Sequence, residues 1–180
     1  MSFKKVSLII LIFIIGLSLW LLDSWKISSK KKIDYLPHKL TVPEISLVDL
    51  QGERVRLNDF RGKVVILDFW ATWCSPCRKE LVHLNELYKK YKNHGLEVIG
   101  VSLDRTNAQE IKKFLENLGI EFLNLRGDEK TLEIFSNLPG LGPIKGIPAT
   151  FIIDRQGQIS HRFIGFTERQ AVEEIIKALF

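Results

Sequence analysis

The chain has 180 residues, 46% of them hydrophobic, a formal charge of +5 and two cysteines. That length holds one ordinary domain and an appendage, the apolar content excludes a disordered tail, and two cysteines exclude a disulfide framework or a four-cysteine zinc site. The excess charge lies wholly in residues 1–32, with six lysines and one aspartate, so residues 33–180 balance at 20 basic and 20 acidic side chains and offer nucleic acid no electrostatic footprint.

Residues 6–22, VSLIILIFIIGLSLWLL, run without a charge between Lys5 and Asp23. They reach the short end of the roughly 17–25 residues that a bilayer span takes, and Trp20 and Trp25 stand where interfacial aromatics belong. The reading is an uncleaved membrane anchor over residues 1–25, engaging the lipid bilayer through residues 6–22. The alternative is a cleaved signal peptide, for which Gly16-Leu17-Ser18 is the small-x-small site. Lys26, Lys30, Lys31 and Lys32 outnumber Lys4 and Lys5, so the positive-inside rule does not fix the orientation. Residues 26–39, polar and lysine-rich with Pro37, read as a tether to a single domain over residues 40–180.

Within that domain, Glu44 to Leu57 alternates as a hairpin with Gln51-Gly52 at its turn. Lys63 to Trp70 (KVVILDFW) is a continuous apolar run with β-branched residues, the pattern of a central strand buried on both faces. Pro76 to Asn93 has helical spacing in Leu81, Leu84, Leu87, Tyr88 and Tyr91, and Gly95 ends it. Leu96 to Leu103 reads as a second buried strand, Thr106 to Leu118 as a helix closed by Gly119, and Asp128 to Phe135 as a shorter helix. Ala149 to Asp154 and Gln158 to Ile164 form a hairpin around Arg155-Gln156-Gly157, and Thr167 to Leu179 is a closing helix capped by Thr167. Strands alternating with helices and ending in a hairpin predict an α/β domain with a mixed central sheet covered on both faces.

Both cysteines fall in Cys74-Ser75-Pro76-Cys77, directly after the Lys63 to Trp70 strand and at the start of the next helix. A CxxC pair can be half of a zinc site, but there is no second pair, and His38, His83, His94 and His161 are scattered; the strand-to-helix placement favours redox chemistry. Unpaired N–H groups and the helix dipole favour a thiolate at Cys74, which makes it the attacking sulfur. Cys77, one turn deeper, is the resolving thiol, and Pro76 suits the first helical turn. Asp68 stands in an otherwise apolar strand, where burial raises a carboxyl pKa toward the range of a general acid or base. Glu80, three residues after Cys77, shares its helix face and is a second candidate proton acceptor, or an ordinary solvated glutamate.

Phe69-Trp70-Ala71-Thr72-Trp73-Cys74-Ser75-Pro76-Cys77, with Gly146-Ile147-Pro148-Ala149-Thr150-Phe151-Ile152-Ile153-Asp154 downstream, resembles the membrane-anchored thioredoxin-like thiol-disulfide oxidoreductases of bacteria, the TlpA, ResA and DsbE group. The resemblance spans residues 42–180 and implies the thioredoxin-like fold with an N-terminal β-hairpin extension. It implies that Pro148 is a cis proline packed against the cysteines, with the Ile147 backbone offering strand-like hydrogen bonds to an extended substrate; an ordinary proline at the start of a strand is the alternative. Asp68 matches the buried aspartate of thioredoxin, and Glu80 matches a first-helix glutamate of the anchored group. Trp73, Ser75 and Pro76 are the expected substrate contacts around the motif, whereas Trp70 either shields the disulfide or belongs to the core. Residues 137–145 (NLPGLGPIK) make a long approach to Pro148, expected beside the site.

The function implied is reduction of disulfides in partner proteins outside the cytoplasmic membrane, with apocytochrome c the typical substrate and a membrane electron donor restoring the dithiol. No cofactor beyond the Cys74–Cys77 disulfide, no metal and no nucleic acid is expected. The catalytic domain is expected to face the periplasm or cell exterior. A disulfide-introducing oxidase is the second enzymatic reading, since direction depends on potential. A tethered copper chaperone using Cys74, Cys77 and His161 is the binding alternative. A peroxidase is disfavoured by Ala71, which stands where a peroxiredoxin-like threonine would be.

Overall fold

The apolar run after Lys63 forms the strand on which the domain is built. The computed structural model describes residues 34–180, with side chains described from residue 40; the expected anchor and the first part of the tether lie outside the described residues. Among the described residues no helix is long and apolar enough to cross a membrane.

In chain order the elements are β1 (Asp34–Thr41), β2 (Ser46–Asp49), β3 (Arg54–Arg56), a 3-10 turn (Leu57–Phe60), β4 (Val64–Trp70), α1 (Ser75–Tyr91), a 3-10 turn (Lys92–His94), β5 (Leu96–Ser102), α2 (Ala108–Asn117), β6 (Leu123–Arg126), α3 (Glu129–Ser136), β7 (Ala149–Ile153), β8 (Gln158–Ile164) and α4 (Arg169–Lys177). The strands form one mixed sheet in the order β1-β8-β7-β4-β5-β6-β2-β3. β4, β5 and β6 run parallel, and the remaining neighbours pair antiparallel.

Strand alternation divides β4 between two cores. Val64, Ile66 and Trp70 join Cys77, Leu81, Leu84 and Leu87 of α1, Ile111 of α2 and Ile176 of α4. Val65, Leu67 and Phe69 join Ile99, Val101, Leu125 and Phe151 of the sheet and Phe135 of α3 on the other face. Asp68 has the parity of the first set, so its carboxyl turns toward the helix that carries the cysteines. Gly95 (φ 90°) ends the 3-10 turn after α1 in the left-handed region that glycine adopts without steric cost.

The structure departs from the sequence reading at three places. Residues 34–39, read as tether, are already strand: β1 pairs antiparallel with β8, with a register irregularity between Tyr35 and Leu40. Residues 123–126, assigned to no element, form β6, because pairing with β5 and β2 makes a strand of a four-residue segment too short to declare itself by periodicity. Thr167 does not cap the last helix; α4 starts at Arg169 after Glu168, with no side-chain cap. The Thr167 backbone N–H is used elsewhere, in a bond to Glu80.

Candidate functional site

The motif sits where β4 ends and α1 begins. Cys74 is the N-cap of α1, in extended backbone, and Pro76 stands in the first turn, where an absent N–H leaves no bond unmade. Cys74 and Cys77 are joined by a disulfide, with S–S 2.03 Å and Cα atoms 5.3 Å apart. The Cys77 backbone N–H donates to Cys74 Sγ at 3.2 Å. Cys74 is 5% exposed and Cys77 is wholly buried, so the two sulfurs differ in access.

Two neighbouring segments hold this turn. Thr72 donates its N–H and its hydroxyl to the Asp104 carboxylate, at 2.9 and 2.7 Å, and Ser102 donates to the same carboxylate at 2.8 Å. From α1, Arg78 donates from Nε and a terminal nitrogen to the Thr72 carbonyl, at 2.9 and 2.8 Å, and its guanidinium lies over the Phe114 ring. Thr72, Asp104 and Arg78 were not among the residues expected at the site. A cleft of about 670 Å³ opens beside this turn, bounded by Trp73, Asp104, Glu110 and Phe114 among others.

Across the disulfide, the Ile147–Pro148 peptide bond is cis. The Ile147 carbonyl oxygen lies 3.7 Å from Cys74 Sγ, and Pro148 is buried. Ser75 and Pro76 are exposed, and Trp73 is 70% exposed, so the rim of the motif presents an indole to solvent. Trp70 belongs to the core: it is fully buried, stacks on Phe114 and donates its indole N–H to Asn124 Oδ1 at 3.0 Å. The segment from Asn137 to Lys145 sends Leu138, Leu141 and Ile144 into the core on the α3 face, the face opposite the cysteines.

Beneath the cysteines lie two carboxyls, both with no exposed surface. Asp68 is directly opposite Thr150 in the β4–β7 pairing, which puts both side chains on the α1 face. Glu80, one turn after Cys77, reaches the same hydroxyl: Thr150 Oγ1 lies 2.6 Å from Glu80 Oε1 and 3.1 Å from Asp68 Oδ1. Glu80 Oε2 accepts the Thr167 backbone N–H at 3.0 Å. Burial and then the charge of Glu80 push Asp68 well above the ordinary aspartate range, against a smaller opposing effect of the Thr150 bond. The solvated alternative for Glu80 therefore does not hold. Thr150 was missed by the sequence reading, although its place two residues after Pro148 fixes it on the same strand face as the proline.

His161 lies on β8, half-buried, with Nδ1 3.1 Å from Ser160 Oγ, and burial lowers its pKa. Among the described residues no group of three or more His, Cys, Asp and Glu side chains is arranged to hold a metal.

Comparison with known proteins gives one answer. The AhpC/TSA family matches residues 39–162. The thiol-disulfide oxidoreductase ResA of Bacillus thuringiensis is 35% identical over 138 residues, which is 76% of this chain and 75% of that protein. ResA of Geobacillus kaustophilus is 34% identical over 140 residues, or 77% and 76%. Among solved structures, a Chlorobium tepidum protein assigned as thiol:disulfide interchange protein DsbE superposes with a TM-score of 0.70 at 32% identity, covering 82% of this chain and 99% of that one.

Proposed function

From a chain that belongs to the AhpC/TSA family and is a thiol-disulfide oxidoreductase of thioredoxin-like fold, we propose a reductant of disulfides in partner proteins outside the cytoplasm. The observation that carries this reading is the asymmetry of the pair. Cys74, at the helix N-terminus with an amide N–H aimed at its sulfur, is suited to be a stabilised thiolate, and Cys77, wholly buried, is suited to react only with Cys74.

In the reductive direction, the Cys74 thiolate attacks one sulfur of a partner disulfide. That S–S bond breaks, and the other partner sulfur leaves as a thiolate that takes up a proton. Cys77 gives its proton to a buried carboxylate, Asp68 or Glu80, and attacks Cys74 Sγ. The mixed disulfide breaks, the second partner sulfur departs with a proton, and the Cys74–Cys77 disulfide remains. The partner segment lies extended along the Ile147 backbone at Pro148, with Trp73, Ser75 and Pro76 forming the rest of its contact. Two electrons and two protons from a membrane donor restore the dithiol. Apocytochrome c, which must hold reduced cysteines to receive haem, is the substrate this chemistry suits. Residues 6–22 would hold the domain at the cytoplasmic membrane, facing the periplasm or cell exterior.

The test is to trap the partner. In full-length Cys77→Ala, the mixed disulfide on Cys74 persists, and mass spectrometry of the captured protein should return extracytoplasmic proteins with paired cysteines. Capture of cytoplasmic proteins alone overturns the compartment. A reduction potential near −120 mV instead of near −270 mV would reverse the direction and make the protein an oxidase, on the scale of about 30 mV per 1.4 kcal/mol.

A further inference from the structure

We propose that Asp68, Thr150 and Glu80 form one unit holding a single acidic proton in the disulfide form, with Asp68 the acid, Glu80 the carboxylate and Thr150 the positioning residue that fixes this division. A threonine hydroxyl has one proton to donate and lone pairs to accept with, yet Thr150 Oγ1 lies within hydrogen-bond distance of an oxygen from each carboxyl. Were both carboxyls ionised, the hydroxyl could serve only one of them. One of the two contacts must then be made by a carboxyl O–H.

The surroundings decide which. Glu80 Oε2 already accepts the Thr167 N–H, so with the Thr150 proton on Oε1 both oxygens of a Glu80 carboxylate have donors. The 2.6 Å separation suits an O–H donating to a charged oxygen, and the 3.1 Å contact to Asp68 suits a neutral pair. Asp68 Oδ2 is buried without a partner, which is costly for a carboxylate and much less so for the carbonyl oxygen of an acid. In the reverse assignment, Asp68 would be charged with one long bond and one bare oxygen, and the Thr167 N–H would face a neutral acid. Burial and the Glu80 charge act on Asp68 in the same sense.

The inference deepens the reductive reading above and rests on it for its consequence. Of the two carboxyls, Glu80 is the ionised one and so the one that takes a proton from Cys77 as the mixed disulfide is resolved. Asp68 keeps its own, and the added proton passes from Glu80 to the departing partner thiolate. Thr150 acts through the carboxyls and does not touch the sulfur chemistry.

Infrared spectra of the resting disulfide form at neutral pH read the proton directly, with no substrate needed. The wild-type protein should show the carbonyl stretch of a buried carboxylic acid. Asp68→Asn should abolish it, Thr150→Val should shift it because the acid loses its acceptor, and Thr150→Ser should leave it in place. An absent wild-type band, a band surviving in Asp68→Asn, or one unmoved in Thr150→Val overturns the assignment. In single-turnover assays of the full chain, Thr150→Val should slow resolution of the mixed disulfide by on the order of tenfold without slowing its formation, and Thr150→Ser should restore the rate. Equal loss in both variants makes Thr150 merely structural and overturns its positioning role. If the wild-type chain reduces no partner disulfide, the reductive reading fails, while the infrared result still decides where the proton lies.

Discussion

An aspartate inside a wholly buried strand weighs against folding whenever it must carry its charge. Asp68 keeps its proton to higher pH in the folded protein than in the unfolded chain. As pH rises through the unfolded value of about 3.9, the unfolded chain ionises first, so stability falls with pH until the folded carboxyl also titrates. Asp68→Asn should remove that slope. Urea unfolding of the disulfide form should find the variant more stable than wild type at pH 8, by a margin that grows as pH rises above about 3.9, and level with wild type near pH 3.5. A gap independent of pH would contradict this. The burial of Asp68 was legible in the sequence because KVVILDFW offers it no solvent-facing neighbour. That of Glu80 was open: it shares the helix face of Cys77, yet beside Arg78 and Lys79 it reads equally as solvated, and its bonds to Thr150 and Thr167 decide between the two. Thr150 was illegible for a different reason, since its value lies in a cross-strand register that one segment alone does not contain.

At the level of elements, two joints carry testable weight. Glu173 of α4 ties itself to the end of α1, accepting from Lys90 Nζ at 2.7 Å and from the Tyr91 hydroxyl at 2.6 Å. These bonds lower its pKa from 4.5 to about 2. A depressed carboxyl contributes stability that is present above its unfolded pKa and is lost as pH falls toward the folded one. Glu173→Gln should therefore cost about 1 kcal/mol at pH 7, after solvent screening of the exposed lysine, with the difference closing between about pH 4.5 and pH 2. The second joint is β5 against Trp70. A Cβ at Gly100 would stand 2.2 Å from Asn124 Oδ1 and 2.8 Å from Trp70 Nε1, so alanine cannot enter without breaking the indole–amide bond. Gly100→Ala should destabilise by about 3 kcal/mol and change the near-ultraviolet circular dichroism of the indole; a silent substitution would show that the bond is dispensable. The same joint explains why β6 escaped detection. Asn124 in its middle looks like a loop residue, and its buried amide is satisfied by an indole 54 positions away and by the Phe122 carbonyl.

For the whole molecule, the +5 charge belongs to the first 32 residues, and residues 33–180 are electrically balanced. A chain cut to begin at residue 33 keeps β1 entire and should remain in the soluble fraction, whereas the full chain should sediment with membranes and resist an alkaline wash; release of both alike would remove the anchor from the account. The tether boundary was misplaced because DYLPHKLT, with its proline and mixed polarity, has no strand pattern of its own and takes its conformation from β8. That pairing also sets an order of manufacture. Asp34 faces Arg162, more than a hundred residues later, and Val48 faces Arg126. The cysteines, three residues apart, are neighbours almost as soon as they are made. Because the ribosome delivers the chain from its N-terminus, the rim at β2 can close once residue 126 has emerged, while the rim at β1 waits for the whole of β8. The strand synthesised first is the one seated last, and a chain stalled short of residue 158 carries its two cysteines but leaves that edge of the sheet open to the wrong neighbour.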